Sequence, residues 1–444
     1  METDGTHRQR RPGIPVRTLR AVVTEGPDAG LSFVAPEDVL TVGTAEGNGL
    51  RLTDRTVSRF HLELRRLDEG ILTTDLGSTN GTRVAAATLD GSRVVVDPGA
   101  NIRIGGTTLR VEDGDEVVVR TFEIDSIGGL LGRSAVMQRL FASISQLGST
   151  NAPVLIVGES GTGKELIARA IHEIASQDAP MATVDCAATV PALFASELFG
   201  HERGAFTGAE QRREGAFSLA NHGTIFLDEI GELSPEIQSL LLGVLERRRF
   251  RRVGGSDDVT VDVRVISATH RDLRADVNAA RFRLDLFFRL AVVTLRVPAL
   301  RERREDIPLL VEHFLREAAF EGPVEAVFPE EAMRRLIAYH WPGNVRELRN
   351  VVEAAIVLGA PRDLGNLSST ESFGGAETFA AVRPLGYRAA RKVVVDAFER
   401  DYLQALLERS GGSVRQAARV AQMDRSYLTE LLQRHQIGER QKES

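Results

Sequence analysis

The chain has 444 residues, of which 42% are hydrophobic and 26% are charged. This length allows two to four domains, and the balance is that of a globular protein. A net charge of −7 excludes a basic surface along the whole chain, and the single cysteine, Cys186, excludes an internal disulfide. No apolar run approaches the ~18 residues of a membrane span, and no signal peptide is recognisable. We therefore expect a cytoplasmic protein without a membrane partner, in which any contact with nucleic acid is local.

The N-terminal third is rich in short apolar segments. After an arm of residues 1–15, which we expect to be disordered, runs of Val, Ile, Leu and Thr alternate with Gly, Asp, Asn or Pro over 16–112. Because no long helical period appears, the pattern predicts an all-β antiparallel sandwich. Residues 113–123 are expected to be a linker.

From residue 124 strands and helices alternate. The apolar run "APVLIVG" is followed by the amphipathic "KELIARAIHEIA", and further buried-type strands follow up to residue 298. Such alternation predicts an α/β domain with a parallel sheet covered on both faces. Residues 299–362 are expected to form a helical subdomain, 363–386 a linker, and 387–438 an all-α domain. The chain is therefore predicted to be multidomain.

A glycine-rich segment, "GESGTGKE", lies between an apolar strand and a helix. This is the context that the phosphate-binding P-loop requires. Its glycines allow backbone N–H groups to surround phosphate oxygens, and the helix N-terminus adds positive potential. An ordinary glycine-rich turn is the alternative. The predicted nucleotide-binding residues are Gly158, Glu159, Ser160, Gly161, Thr162, Gly163, Lys164 and Glu165, the last standing where Ser or Thr usually contacts magnesium.

A second motif, "GTIFLDE", places two carboxylates at the C-terminal end of a strand, where ligands bind in open parallel sheets. Asp228 is predicted to hold Mg²⁺ through water, and Glu229 to orient and polarise the attacking water. In isolation two solvated carboxylates would be the simpler interpretation. Together with the P-loop, they indicate ATP hydrolysis.

The segment "GAFTGA" contains two glycines too close together for a strand or a helix, and predicts a loop tip. A phenylalanine at its centre allows two interpretations: the ring folds back into the core, or it awaits a partner. The residues concerned are Gly204, Ala205, Phe206, Thr207, Gly208 and Ala209.

Six motifs occur in order: "GESGTGKE", "ELFGHERGAFTGA", "GTIFLDEIGELS", "FRLDLFFRL", "PALRERREDI" and "WPGNVREL". With them, residues 124–362 resemble the AAA+ domain of bacterial enhancer-binding proteins, the activators of sigma-54 RNA polymerase. The resemblance implies ATP and Mg²⁺ as ligands and a hexamer as the active homo-oligomer. It also implies that Phe206 and Thr207 contact sigma-54.

The same resemblance assigns further roles. Arg283 and Arg289 correspond to arginine fingers that reach the γ-phosphate of a neighbouring subunit. Thr269 corresponds to the first sensor and Arg346 to the second. His270 stands where Asn is frequent, and we expect no direct contact from it.

Asp185, in "VDCAAT", occupies a position where the family usually has Asn. In the family this Asn restrains the catalytic Glu until the loop signal arrives. A carboxylate cannot donate the amide hydrogen bond unless it is protonated. We expect ATPase activity to survive while its coupling to the loop differs.

The C-terminal segment 396–437 has helix-turn-helix spacing. A helix ends at Gly411–Gly412, Ser413 can cap a short helix, and a second helix follows "QMD". The segment resembles the Fis-type domain of these activators, which implies binding to double-stranded DNA; a helical oligomerisation tail is the alternative. Residues 387–444 contain eleven Lys/Arg against eight Asp/Glu, hence a charge of +3. The candidate DNA-binding residues are Arg425, Ser426, Tyr427, Thr429 and Arg434.

The N-terminal segment carries "VSRFH" and "DLGSTNGT" and resembles a forkhead-associated domain, a fold that binds phosphothreonine. Thr44 replaces an arginine that usually contacts phosphate, and Arg59 or Arg55 is the expected substitute. His61 is expected to brace a loop. A sandwich kept only for intramolecular packing is the alternative. The candidate phosphopeptide-binding residues are Ser58, Arg59, Thr79 and Asn80.

Together these features predict an ATP-driven transcription activator that binds upstream DNA, remodels the sigma-54 closed promoter complex and senses a phosphorylated protein. A different AAA+ machine, such as a helicase loader or an unfoldase, is disfavoured by "GAFTGA". A DNA-binding regulator that does not use its ATPase is disfavoured by Lys164, Glu229 and the two arginines.

Overall fold

The computed structural model describes residues 13–36, 38–67, 69–120, 124–187 and 191–358, and in the C-terminal part 403, 406–407, 410, 414–420, 423 and 425–434. The chain divides into two compact units, residues 1–361 and 362–444. The predicted linker 363–386 and residues 1–12 of the predicted arm lie outside the described residues.

The N-terminal part is β-rich, as predicted, with two sheets in the orders β2-β1-β11-β10-β7-β8 and β4-β3-β5-β6-β9. Alternate side chains of both sheets meet in one apolar core, which is the arrangement of a sandwich. The strands are β1 (Gly13–Glu25), β2 (Ser32–Val34), β3 (Val39–Gly43), β4 (Leu50–Arg51), β5 (Leu62–Leu67), β6 (Gly70–Asp75), β7 (Thr82–Val84), β8 (Ala87–Leu89), β9 (Arg93–Val96), β10 (Asn101–Ile104) and β11 (Thr107–Arg120).

The predicted boundaries of this part are wrong at both ends. Strand β1 begins at Gly13 instead of after residue 15, and β11 continues to Arg120 through most of the predicted linker. The two strands pair from Gly13 opposite Arg120, with a register shift near Thr18. The polar "EDGD" segment resembles a turn in sequence. The register shift is a β-bulge, which accommodates this segment within the paired strands.

The central part contains a five-stranded parallel sheet in the order β15-β18-β21-β14-β22. Apolar clusters cover both faces, as the sequence predicts. Its elements are β12 (Ser126–Ile127), β13 (Leu130–Leu131), α1 (Ala135–Gly148), β14 (Val154–Val157), α2 (Lys164–Ser176), β15 (Met181–Asp185), α3 (Pro191–Phe199), β16 (Gly200–His201), β17 (Arg213–Glu214), α4 (Ala216–Leu219), β18 (Thr224–Asp228), α5 (Pro235–Arg247), β19 (Arg249–Arg251), β20 (Asp258–Thr260), β21 (Arg264–Thr269), α6 (Leu273–Asn278), α7 (Leu284–Leu290) and β22 (Val293–Arg296).

The helical subdomain follows β22, as predicted. It begins with short 3₁₀ helices at Leu300–Glu302 and Arg304–Asp306. The carboxylate of Asp306 accepts hydrogen bonds from the N–H groups of Arg133 (2.6 Å) and Ser134 (2.8 Å), and so fixes the subdomain to the start of α1. The remaining helices are α8 (Ile307–Glu317), α9 (Val324–Val327), α10 (Glu330–Ala338) and α11 (Asn344–Leu358).

The C-terminal unit contains α12 (Val414–Val420) and α13 (Arg425–Arg434) in its described part. These two helices lie where the sequence predicts two short helices. The helix-turn-helix arrangement itself stays a prediction. Leu406, Ala417, Leu428 and Leu431 pack in a common apolar cluster. Across the described parts of both units, no helix has the length and apolar character that a bilayer crossing requires.

Candidate active site and associated surfaces

The loop between β14 and α2 has the geometry of a phosphate cradle. Gly161 and Gly163 have φ angles of +76° and +101°, a backbone region that favours glycine. A Cβ at Gly161 would lie 2.3 Å from the carbonyl oxygen of Gly343, so no side chain fits there. Lys164 opens α2 and is only 7% exposed, and its Nζ donates to the Gly158 carbonyl at 3.1 Å. A buried cation at a helix N-terminus fits the phosphates of a nucleotide.

The sheet brings the two predicted carboxylates to this loop. Asp228 ends β18, and Glu229 follows it with a φ of +51°, which is uncommon for a residue other than glycine. Burial raises the pKa of Asp228, and the neighbouring Glu229 raises it further. Mg²⁺ at nucleotide sites is usually held by one or two carboxylates with phosphate oxygens, and Asp228 fits that role.

The carboxylate of Glu229 is held from two sides. Its Oε1 lies 3.1 Å from Lys164 Nζ, and its Oε2 accepts hydrogen bonds from His270 Nδ1 (2.7 Å) and from the His270 N–H (3.1 Å). Burial raises the pKa of Glu229, but the hydrogen bonds from His270 and the charge of Lys164 outweigh it and lower the pKa below its usual range. The expectation that His270 makes no direct contact is therefore wrong with respect to Glu229.

Asp185 and Thr269 end the strands on either side of β18. Asp185 is exposed, and its Oδ1 accepts from the Ala187 N–H at 2.9 Å. Among the described residues no hydrogen bond joins Asp185 to Glu229. Thr269 is fully buried, and its carbonyl accepts from the Gly158 N–H at 3.1 Å. Thr269 therefore supports the base of the phosphate-binding loop.

A cavity of about 510 Å³ opens beside these groups. Burial raises the pKa of the Cys186 thiol far above its usual range, so the thiol stays protonated. Glu165, by contrast, forms an exposed ion pair with Arg169 at 3.2 Å on the first turns of α2. The cavity is lined by Ser160, Cys186, Ala187, Glu229, Glu232 and His270.

The helical subdomain contacts the same loop. Arg346 Nη1 donates to Ser160 Oγ at 3.0 Å, which places the predicted second sensor at the site. Arg301 forms two hydrogen bonds with Glu159, one of 2.8 Å, and lowers the pKa of that carboxyl. Asn344 Nδ2 donates to the Ser160 carbonyl at 3.0 Å. Sequence reasoning missed Arg301 and Asn344, although both stand in the quoted motifs "PALRERREDI" and "WPGNVREL".

The two predicted arginine fingers lie at the ends of α7. Arg283 precedes the helix and binds Asp285 at 2.7 Å and Ser239 Oγ at 3.0 Å. Arg289, in the last turn, donates to the Leu245 carbonyl at 3.1 Å. Both side chains are partly exposed. Their hydrogen bonds, as far as the described residues go, do not include the phosphate-binding loop of the same chain.

The GAFTGA loop projects from the β16–β17 hairpin. Gly204 and Gly208 have φ angles of +83° and +100°, and open space surrounds both. The Gly204 N–H donates to the Ala209 carbonyl at 2.8 Å and closes the loop. Phe206 is 36% exposed, with its ring 5.0 Å from that of His201. The structure therefore agrees with an exposed tip and not with a ring buried in the core.

The candidate phosphopeptide-binding residues share one end of the sandwich. Ser58 Oγ accepts from the Thr79 N–H at 3.0 Å, and Asn80 Nδ2 donates to the Thr56 carbonyl at 2.7 Å. His61 is fully buried, and its Nδ1 accepts from the Ser58 N–H at 3.1 Å. His61 thus braces this loop, as predicted.

The guanidinium beside position 44 is that of Arg51. Its Nε donates to the Thr44 carbonyl at 3.3 Å. Arg59, one of the two expected substitutes for the missing arginine, instead lines a groove shared with Arg281 and Arg283 of the central part. Sequence reasoning missed Arg51 because the contact depends on the pairing of β3 with β4.

The same end of the sandwich packs against α6 and α7. Phe60 is 2% exposed, and its ring lies 5.2 Å from Phe287 and 6.3 Å from Phe288. Asn278, at the end of α6, hydrogen-bonds both the N–H and the carbonyl of Phe60. Arg274 pairs with Glu63 at 2.5 Å. The candidate phosphopeptide loop is therefore in contact with the segment that carries Arg283 and Arg289.

In the C-terminal unit, three of the candidate DNA-binding residues, Arg425, Ser426 and Tyr427, occupy the first turn of α13. The other two, Thr429 and Arg434, are exposed on the same helix. The opposite side of α13 is buried through Leu428 and Leu431.

Comparison with known proteins identifies the family of the central domain. Residues 130–296 match the sigma-54 interaction domain, and residues 301–366 match an AAA+ ATPase lid domain. The central part therefore has an AAA+ ATPase fold of the kind that interacts with sigma-54.

Known relatives match about two thirds of the chain and define its family. It is 48% identical over 309 residues to the transcriptional regulatory protein ZraR of Escherichia coli K12, covering 69% of this chain and 68% of ZraR. It is 42% identical over 310 residues to GlrR of the same organism, with the same two coverages. The crystal structure of NtrX from Brucella abortus in complex with ADP shares 37% identity with a TM-score of 0.50 and covers 70% of each chain. The chain belongs to the sigma-54-dependent transcriptional regulators.

The N-terminal part has a separate match. Residues 22–115 match the cytoplasmic domain of an inner membrane component of type III secretion systems. The resemblance to a forkhead-associated domain stays a prediction.

Proposed function

We propose that this protein is an ATP-dependent activator that binds upstream DNA and remodels the closed complex of sigma-54 RNA polymerase. The observation that carries the proposal is the combination, in one module, of a phosphate cradle with an ionised Glu229 beside Lys164 and an exposed GAFTGA loop. ATP supplies the hydrolysis energy, and the loop transmits the resulting movement.

Each side chain of the nucleotide site has a proposed role. The backbone N–H groups of the loop and Lys164 bind phosphate oxygens, and Asp228 holds Mg²⁺. Glu229 has a lowered pKa, so its carboxylate is ready to orient and polarise water at neutral pH. Arg346, in the helical subdomain, acts as the second sensor and contacts the bound nucleotide.

The active form is proposed to be a ring of identical subunits, with six as the expected number. Arg283 and Arg289 make no hydrogen bond to the phosphate-binding loop of their own chain among the described residues, and both are partly exposed. They are available to stabilise the γ-phosphate charge in a neighbouring subunit, as arginine fingers do.

The C-terminal unit is proposed to hold the protein on double-stranded DNA. Support comes from two short helices at helix-turn-helix spacing and from Thr429 and Arg434 on the exposed side of α13. A first helical turn that carries Arg425 and Tyr427 suits contacts with base edges or phosphates.

The N-terminal sandwich is proposed to bind a phosphothreonine protein and to control ring formation. The loop that would bind phosphate, at Ser58, continues into Phe60, which is buried against α7. Arg59 and Arg283 line one groove, so a second subunit that approaches Arg283 meets the sandwich. The docked sandwich therefore limits assembly, and a bound phosphopeptide favours its release.

The function is tested by open-complex formation. A promoter with upstream sites is incubated with sigma-54 polymerase, this protein and ATP, and heparin-resistant complexes are counted. Complexes should form with sigma-54 polymerase and ATP, and should be absent with sigma-70 polymerase or with the Lys164→Ala variant. Equal complex formation by both polymerases would overturn the proposal.

The control by phosphothreonine is tested with the full chain. A peptide library with matched threonine and phosphothreonine forms is screened for binding. Phosphate-dependent binding that is lost in Ser58→Ala supports the proposal. If no peptide shows phosphate-dependent binding and Ser58→Ala leaves activation intact, the sandwich serves packing only.

A further inference from the structure

We propose that His270 is the positioning residue that holds the water-activating carboxylate of Glu229 in its working orientation. This inference rests on the ATPase proposed above. His270 acts through Glu229, and the nucleotide itself is not its target.

His270 contacts the Glu229 carboxylate through two donor groups. The ring Nδ1 and the backbone N–H of His270 both donate to the same oxygen, Glu229 Oε2, at 2.7 Å and 3.1 Å. Two donors fix the direction of a carboxylate more tightly than one, because rotation about the Cγ–Cδ bond would break both. The hydrogen bonds also bridge two strands, since Glu229 follows β18 and His270 follows β21, which pair with each other.

The other partners of Glu229 cannot keep this role. Lys164 holds Oε1 at 3.1 Å, but its ammonium is also the group that the loop geometry directs at phosphate. When phosphate oxygens approach, they compete for Lys164 with the carboxylate. Asp185 does not help, because its carboxylate is engaged with the Ala187 N–H and carries no donor when ionised. Among the residues that the structure describes, His270 is then the remaining donor on Glu229.

The chemistry of imidazole makes the proposal specific. An ionised carboxylate only accepts hydrogen bonds, so Nδ1 of His270 must carry the proton in this contact. The His270 side chain is 47% exposed. An asparagine amide nitrogen can take the place of Nδ1, whereas a glutamine amide nitrogen takes the place of Nε2. His270→Asn therefore retains the donor, and His270→Gln displaces it.

The test measures kcat and KM for ATP hydrolysis in His270→Asn, His270→Gln and His270→Ala. Removing a hydrogen-bond partner that orients a metal ligand typically costs about 10–100-fold in activity, and we expect a loss of similar size for a partner that orients the catalytic carboxylate. We expect that loss in kcat for the Gln and Ala variants, a KM for ATP within about twofold of wild type because ground-state binding is untouched, and most of the kcat retained in the Asn variant.

Two further measurements do not depend on turnover. The affinity for a non-hydrolysable ATP analogue should be unchanged in all three variants, and their thermal unfolding should match wild type. In ¹⁵N-histidine-labelled protein without nucleotide, the His270 resonance is assigned as the one that disappears in His270→Asn. In the wild-type spectrum this resonance should show a protonated, hydrogen-bonded Nδ1. In the Glu229→Gln variant this resonance should shift, because the acceptor loses its charge.

Three results would overturn the inference: wild-type kcat in His270→Ala, equal losses in the Asn and Gln variants, or weakened binding of the analogue. The last would mean that His270 acts on nucleotide. Should the wild-type protein fail to form open complexes while these kinetic and spectral results hold, the fault lies with the proposed function and not with His270.

Discussion

The docking of the sandwich on the arginine-bearing segment gives the most quantitative prediction. Phe60 is 2% exposed, and its contacts are with Phe287 and Phe288. Truncating a buried phenylalanine to alanine typically costs about 3–5 kcal/mol. Since Phe60 joins the apolar cluster of the central part, most of this cost falls on docking and not on folding of the sandwich. A loss of about 3 kcal/mol corresponds to more than a hundredfold in the docking equilibrium.

The assay is specific ATPase activity as a function of protein concentration. In Phe60→Ala the released α7 segment should assemble more readily, so half-maximal activity should appear at a lower concentration than in wild type. Hydrogen exchange of residues 273–290 should increase in dilute protein. Asn278→Ala should act in the same direction, because it leaves the carbonyls of Phe60 and Leu76 without their donor.

The control is Val118→Ala on β11, where the side chain is 73% exposed. It removes apolar atoms from the same sandwich without touching the contact, and should leave the concentration dependence unchanged. If Phe60→Ala lowers neither the half-maximal concentration nor the protection of 273–290, the idea that docking limits assembly is wrong. Higher activity in wild type at all concentrations would show that the contact supports the ring instead.

Four other variants test the ATPase site, DNA binding and phosphopeptide binding separately. Glu229→Ala should bind ATP with near-normal affinity yet hydrolyse it at least about a hundredfold more slowly, as expected for loss of a general base. Arg289→Ala should also be inactive, and mixing the two inactive proteins should restore part of the ATPase activity. No activity would return if Arg289 acted within its own subunit. Deletion of 387–444 should abolish footprints on upstream DNA while leaving ATP hydrolysis, and an undiminished footprint would assign DNA binding elsewhere. Thr44→Arg should tighten phosphothreonine peptide binding in a titration, whereas unchanged affinity would mean that position 44 is not at the phosphate.

The phosphate-binding loop could be predicted from sequence because its strand, glycines and helix are contiguous. The order of the sheet then brings Asp228 and Glu229 to Lys164, as the carboxyl ends of parallel strands meet at one edge. The contact of His270 could not be assigned from a motif, because it depends on β21 lying directly beside β18. The predicted ends of the sandwich were wrong for a related reason, because the bulge near Thr18 is set by the pairing of β1 with β11, which are far apart in sequence.

The docking of Phe60 is also a long-range feature. In sequence, the phenylalanine of "VSRFH" is one apolar residue of a strand-rich segment, and its burial depends on aromatic residues more than two hundred positions away. The exposed GAFTGA tip was predictable because two closely spaced glycines exclude both regular structures, and the structure gives them positive φ angles.

We propose that ATP hydrolysis drives polymerase remodelling through the tip of the GAFTGA loop. The most direct measurement compares ATPase rate and sigma-54 open-complex yield in Thr207→Ala. Thr207 is exposed at the tip and outside the nucleotide cavity. We therefore expect an ATPase rate within about twofold of wild type, since surface substitutions rarely disturb a fold, and an open-complex yield near zero. A Thr207→Ala protein that forms open complexes as well as wild type would contradict this proposal.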